Sequence, residues 1–349
     1  MVKSAILLPI LGREEFTERF LAYCNLIKAR ETLYLADGSE KKKFSQRYFS
    51  KNYPNLKIIY KKYTFDKNFY IYSKKMCKIL REIKEEYVMP ISNDDFYNDK
   101  FLREAEKFLD KKKDYSIVAG FVKNFRVIQL FKPTNEYGTI HFNLKNTIHY
   151  GDYGNIFQSV EHKDKNKRVF YFIRTLGYES LMRKSTLKKI WKIANKLKLI
   201  NSFEMNWCYN IIPLIDGKKK HLNLITQLRQ SNTYNSLGLT DISKKRASRK
   251  RYTKFIKLLK TEKLITKKKT LSMLNKLRDN SLNIDDGKKN NLYQTVFPYY
   301  WQTKQIILKI NYFISFLFLK KDHEEFLNKI QKFFNYTKVY NSNIKNNLK

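Results

Sequence analysis

The chain has 349 residues, 42% of them apolar and 15% aromatic, which is enough to bury a sizeable core and excludes a wholly disordered protein. Its formal charge is +39, from 71 Lys and Arg against 32 Asp and Glu. The longest late apolar stretch, 310–319, is interrupted by Asn311 and Ser315 and is well short of the roughly 20 residues a bilayer span needs, so no transmembrane helix is expected.

In chain order, residues 5–11 read as a buried strand. A signal peptide is not expected, because the apolar run is short, Pro9 interrupts it, and Glu14 and Glu15 follow at once. Residues 14–28 have amphipathic helical spacing, and 32–36 form a second strand that ends at Asp37-Gly38-Ser39. A short helix is expected over 42–49, stopped by Asn52-Tyr53-Pro54-Asn55, then a third strand over 56–60. The spacing of Tyr72, Met76, Ile79, Leu80 and Ile83 predicts a long helix over 69–85. A fourth strand over 87–91 ends at Ser92-Asn93-Asp94-Asp95, a helix follows over 99–109 and a fifth strand over 116–121. This alternation predicts an α/β fold, a mainly parallel sheet flanked by helices on both faces.

Residues 122–178 are less regular and rich in aromatics, with a strand expected at 170–176. Helices are expected over 185–197, capped by Ser185 or Thr186, and over 206–215, ended by Asp216-Gly217. Two units are therefore expected. Residues 1–238 form the first, in two parts of about 1–120 and about 121–238; residues 239–349 form a basic helical C-terminal region.

In open α/β sheets ligands lie at the carboxyl ends of the strands. Asp37 and Asn93-Asp94-Asp95 both fall at such ends. Adjacent carboxylates repel and resist burial unless a cation sits with them. A divalent ion bridging them to a diphosphate is one reading, and a helix cap is the other.

A resemblance bears on that choice. Residues 87–97, Tyr-Val-Met-Pro-Ile-Ser-Asn-Asp-Asp-Phe-Tyr, resemble the strand and acidic turn of GT-A-type glycosyltransferases, close to the family 2 group. Ala5–Arg13 resembles the family's opening strand with Pro9 and Arg13, and Leu33–Ser39 its Asp-Gly-Ser turn. Gly177–Lys184, Phe203–Trp207 with Asp216-Gly217-Lys218, and Leu228-Arg229-Gln230 with Asn235-Ser236 resemble its later segments, in the family's order. The likeness covers roughly residues 4–238. It departs from the family at Asn93, where Asp is usual, at Phe65-Asp66-Lys67-Asn68, where a Gly- and Asn-rich turn is usual, and at Glu204, a single acid in place of a pair.

The resemblance implies transfer of a sugar from a nucleotide-diphosphate donor to an acceptor hydroxyl, in surface glycan or polysaccharide synthesis, assisted by Mn²⁺ or Mg²⁺. Asp95 and Asp94 would hold the metal. Pro9, Arg13, Asp37, Asn93, Asp94 and Arg229 would bind the donor, with Arg229 clamping the diphosphate. Glu204 would be the general base, with Glu179 the runner-up. Each has a plainer reading: Asp37 as a turn residue, Glu204 as a helix-start acid, Arg229 as a surface cation. A nucleotidyltransferase on a similar core, and a nucleic-acid-binding protein using 244–269, are the alternatives. No known nucleic-acid-binding motif accompanies that charge.

The charge is uneven. Residues 239–349 hold 26 basic against 8 acidic residues, and 1–238 hold 45 against 24, so the C-terminal region is nearly twice as dense in net charge. Residues 244–269, with Tyr252, Phe255, Ile256, Leu258 and Leu259, and later Trp301, Tyr312, Phe313, Phe316 and Phe318, would either lie on an anionic membrane or pack on the catalytic unit. The five histidines lack zinc spacing, and His221 reads as a surface residue. Three widely spaced cysteines suit a reducing compartment, so a cytoplasmic protein is expected, with the inner membrane face as a further site.

Overall fold

The structure is a computed structural model. It describes residues 2–128, 139–142, 159–169, 178, 180–230, 249–266, four positions between 268 and 274, and 324–334.

The elements are β1 (Ser4–Ile10), α1 (Glu14–Leu26), β2 (Thr32–Asp37), α2 (Gln46–Asn52), β3 (Ile58–Lys62), α3 (Phe69–Glu82), β4 (Tyr87–Pro90), β5 (Phe96–Tyr97), α4 (Asp99–Lys111), β6 (Tyr115–Ile128), β7 (Thr139–Phe142), α5 (Lys165–Val169), β8 (Leu181–Arg183), α6 (Lys184–Leu197), α7 (Ser202–Asp216), β9 (Lys218–Gln230) and α8 (Arg249–Thr261). The strands form one nine-stranded sheet ordered β3-β2-β1-β4-β8-β6-β9-β5, with β7 beside β6. The first four are parallel to one another, while β8 runs against both β4 and β6. The strand expected at 170–176 lies outside the described residues. Four strands escaped the sequence reading: β5 and β8 are only two and three residues long, β7 falls within the irregular stretch 122–178, and β9 carries a polar, basic sequence.

Alternation along each strand sorts the core. Ala5, Leu7, Tyr34, Ala36 and Val88 face α3, α6, α7 and α8, while Ile6, Leu8, Leu33, Leu35, Tyr87 and Met89 face the side covered by α1, α4 and the helical segment 324–334. The C-terminal region is thus built into both cores. Tyr252, Phe255, Ile256 and Leu259 of α8 pack with Trp191 and Trp207, and Phe326, Ile330, Phe333 and Phe334 pack with Tyr23, Phe96 and Phe125. Of the two readings of these α8 aromatics and aliphatics, packing on the catalytic unit is the one observed. Trp301 and the aromatics at 312–318 lie outside the described residues. No helix among the described residues is long and apolar enough to cross a membrane.

Part of the basic excess is structural. Arg183 donates to the carbonyls of Leu109, Lys112 and Tyr115, at the end of α4 and the start of β6. Lys184 donates to Ile83 and Lys84 just past α3, and Arg168 to Leu214 near the end of α7. Helix ends carry unpaired carbonyls and partial negative charge, which such cations satisfy.

Candidate functional site

The strand order turns at β1. From it the chain steps to β2 and β3 on one side, then returns to β4 on the other. Such a switch point opens a crevice beyond the strand ends. Two prolines mark the opening. Leu7 O accepts from Ile91 N, so alternation turns Pro9 toward β4, where the β1–β4 ladder has already ended at Leu7 and Pro90. Pro90 turns toward β8 in the same way, beyond its last paired residue, Val88. Neither missing N–H costs a ladder bond.

On the β2 side, Asp37 ends its strand and is buried. Its carboxylate accepts from Ser39 N at 2.7 Å and from the Tyr60 hydroxyl at 2.7 Å, and Lys62 Nζ lies 3.5 Å away. Burial, and then the Asp37 charge, raise the Tyr60 phenol above its ordinary pKa. Ser39 Oγ in turn accepts from Gly12 N at 2.7 Å, tying the β1 and β2 turns together. Under this turn Asp66 and Lys75 form an ion pair, both fully buried, and a Cβ on Gly38 would stand 2.1 Å from Asp66 Oδ2. The Asp66 carboxyl is pushed up by burial and the Lys75 amine down by burial, each opposed by its partner.

Across the crevice, each residue of the acidic turn has its own tie. Asn93 Nδ2 donates to Arg13 O at 3.2 Å and to Thr17 Oγ1 at 3.1 Å, holding the start of α1. An Asp there would have no N–H to give. Asp94 Oδ2 pairs with Arg13 Nη2 at 2.8 Å. Asp95 Oδ2 accepts from Gln227 Nε2 at 3.1 Å and Oδ1 from Gln230 N at 3.0 Å, fastening the end of β9. Arg13 takes a left-handed backbone, φ 59° and ψ 51°, one residue after Gly12 at φ 60°. A non-glycine residue held there stores strain.

The divalent cation expected at Asp94 and Asp95 can be weighed against these ties. No group of three or more His, Cys, Asp or Glu forms a metal-ligand cluster among the described residues. A site of one or two carboxylates completed by substrate phosphates needs no such cluster. Asp94 and Asp95 have the hard oxygen donors such a cation would take, and both already bond within the protein, Asp94 to Arg13 and Asp95 to Gln227 and Gln230.

No family model and no curated protein sequence matches the chain. Solved structures do. The S. aureus TarS structure of residues 1–349 aligns with a TM-score of 0.51 at 14% identity, over 84% of this chain and 77% of that one. The same protein in complex with UDP-GlcNAc aligns with a TM-score of 0.51 at 14% identity, over 90% of this chain and 81% of that one. This chain has the GT-A glycosyltransferase fold. At this identity the likeness speaks for the architecture.

Within the GT-A fold the remaining expected residues take different places. Arg229 is half-buried near the end of β9, next to the Gln230 amide that Asp95 holds. Glu179 lies outside the described residues. Glu204 is corrected: it is fully buried, and its two oxygens accept from Arg251 Nε and Nη2, both at 2.6 Å. Glu204 Oε2 also accepts from Ile200 N at 3.1 Å, while Asn201 caps the Glu204 amide at 3.0 Å. A carboxylate held by two guanidinium bonds and a backbone amide is engaged in the fold rather than presented to a substrate. It locks the start of α7 to α8, and Arg251 also reaches the Leu197 and Lys198 carbonyls at the end of α6. His221 is corrected too: it is buried on β9, edge-on to Phe121, and burial pushes its pKa down to about 3.

Two cations at the site went unread in the sequence. Arg19 is fully buried and donates to Asp94 O and Gln230 Oε1, both at 2.7 Å, with its guanidinium over the rings of Phe16 and Phe96. Lys75 sits under the Asp37 turn. Both carry a signal: each stands on an apolar helical stripe, Arg19 among Phe16, Phe20 and Tyr23, Lys75 among Tyr72, Met76 and Ile79. A cation on a buried stripe implies a buried partner.

Proposed function

We propose that this protein transfers a sugar from a nucleotide-diphosphate donor to an acceptor hydroxyl. The observation that carries the reading is the placement of two acidic turns: Asp37 ends β2 and Asn93–Asp95 follow β4, the two strands that flank β1 at the switch point of a GT-A fold. The TarS structure with UDP-GlcNAc bound supports a uridine nucleotide sugar as the first donor to try.

Asp37 and its turn would take the nucleoside, and Arg13 and Arg229 the diphosphate. Asp95 and Asp94 would hold Mn²⁺ or Mg²⁺, whose charge would stabilise the departing nucleoside diphosphate. Glu179 is the candidate base that would take the proton from the acceptor hydroxyl as its oxygen attacks the anomeric carbon. The acceptor would be a glycan or lipid-linked sugar in surface polysaccharide synthesis.

The test is donor hydrolysis and transfer by the purified chain, with chelator and with added Mn²⁺. Metal-dependent release of nucleoside diphosphate from UDP-GlcNAc or another nucleotide sugar, abolished by Asp94→Asn, is expected. Release of pyrophosphate would make it a nucleotidyltransferase, and no binding of any nucleotide sugar in a thermal-shift panel would remove the reading. Activity undiminished in chelator would remove the metal alone.

A further inference from the structure

The lysines of α6 and α8 are left over once the core and the crevice are accounted for. In α8, Tyr252, Phe255, Ile256 and Leu259 are buried, while Lys250, Lys254 and Lys257 lie on the exposed stripe at i, i+4 and i+7. In α6, Leu187, Ile190, Trp191 and Ala194 are buried, and Lys188, Lys192 and Lys196 form an exposed stripe at i, i+4 and i+8. Glu262, just past α8, accepts from Lys192 at 2.6 Å and from Lys196, which seats the two stripes side by side. Among the described residues, Lys188, Lys250, Lys254 and Lys257 meet no carboxylate. Arg168, Arg183 and Lys184, by contrast, are spent on helix-end carbonyls.

We propose that the outer faces of α6 and α8 together form a docking surface for an anionic lipid bilayer, held by lysine charge and without insertion. The proposal stands apart from the sugar-transfer reading. The apolar side of α8 is committed to the core, so only charge is offered outward. That charge is diffuse: it comes from lysines, point charges on flexible stems, and not from arginine forks that grip single phosphates. The large hydrophobic side chains exposed among the described residues are Leu26 and Phe65, both off this face, so no stacking platform for bases accompanies it.

The experiment is sedimentation of the full chain with vesicles of phosphatidylcholine alone and of phosphatidylcholine with phosphatidylglycerol. Sedimentation with the anionic vesicles only, lost when salt is raised from about 0.05 M to about 0.5 M, is expected. The variant K188E/K254E/K257E should bind these vesicles at least a hundredfold more weakly, at about fivefold per lysine. K188Q/K254Q/K257Q should fall between, and the thermal unfolding of both should match the parent. The proposal is overturned if the parent does not sediment at low salt, or if either triple variant sediments as the parent does. It is also overturned if the chain binds soluble polyphosphate or duplex DNA while leaving vesicles alone, which would give the face to a polyanion in solution.

Discussion

Arg13 and Asp94 meet at 2.8 Å across the switch point, joining the turn after β1 to the turn after β4. Both side chains are nearly buried, at 7% and 11% exposure, so the pair is screened less than a surface ion pair. Arg13→Ala should cost about 1–3 kcal/mol in urea unfolding, the range for leaving a buried polar group without its partner. Arg13→Gly loses the same pair but relaxes the left-handed backbone, so it should recover up to about 1 kcal/mol of that loss. Equal costs for the two variants would show that the bend is not strained.

Glu204→Gln separates two roles. As the buried half of a pair with the half-buried Arg251 it should lose about 1–3 kcal/mol of stability. The kcat of the folded fraction should hold within a few-fold, because both carboxylate oxygens are engaged by Arg251. Glu179→Gln should do the reverse, lowering kcat by roughly 10²–10⁴ at unchanged donor affinity. Stability unchanged and kcat abolished in Glu204→Gln would return it to the reaction.

Gly38→Ala places a methyl against the Asp66 carboxylate, which Lys75 holds from behind. Both members of the ion pair are buried, so relieving the clash shifts either the pair or the Asp37 turn above it. Donor affinity should fall tenfold or more in a titration, with stability lower by about 1–3 kcal/mol. Wild-type donor affinity would show that the turn does not bind the nucleotide.

His221 should set part of the acid limit. Its folded pKa, pushed down to about 3 by burial and then by the neighbouring Lys219 and Lys220 charges, lies below the unfolded value of 6.5. The unfolded chain therefore takes up a proton that the folded chain refuses. The stabilisation is whole above pH 6.5 and is lost as pH falls toward 3, at up to about 1.4 kcal/mol per pH unit. Denaturant melts of His221→Gln should show a shallower slope between pH 6 and pH 4. An identical slope would mean that the imidazole is solvated.

The parallel half of the sheet was legible because its strands are short apolar runs closed by turn residues, and β1 to β4 appear within one or two residues of expectation. The second half was not. β9 begins Lys-Lys-Lys-His, and only its place beside β6 makes a strand of it. The site divides in the same way. The sequence by itself determined that Asp37 and Asn93–Asp95 stand at strand ends, since local pattern fixes where a strand stops. Tertiary structure decided what each acid meets: Arg13 for Asp94, the end of β9 for Asp95, Arg251 for Glu204. Those partners lie far apart in the chain, as Asp95 and Gln230 do, and only packing brings them together. Burial then sets what each partnership costs to break, because an enclosed charge depends on the groups packed against it.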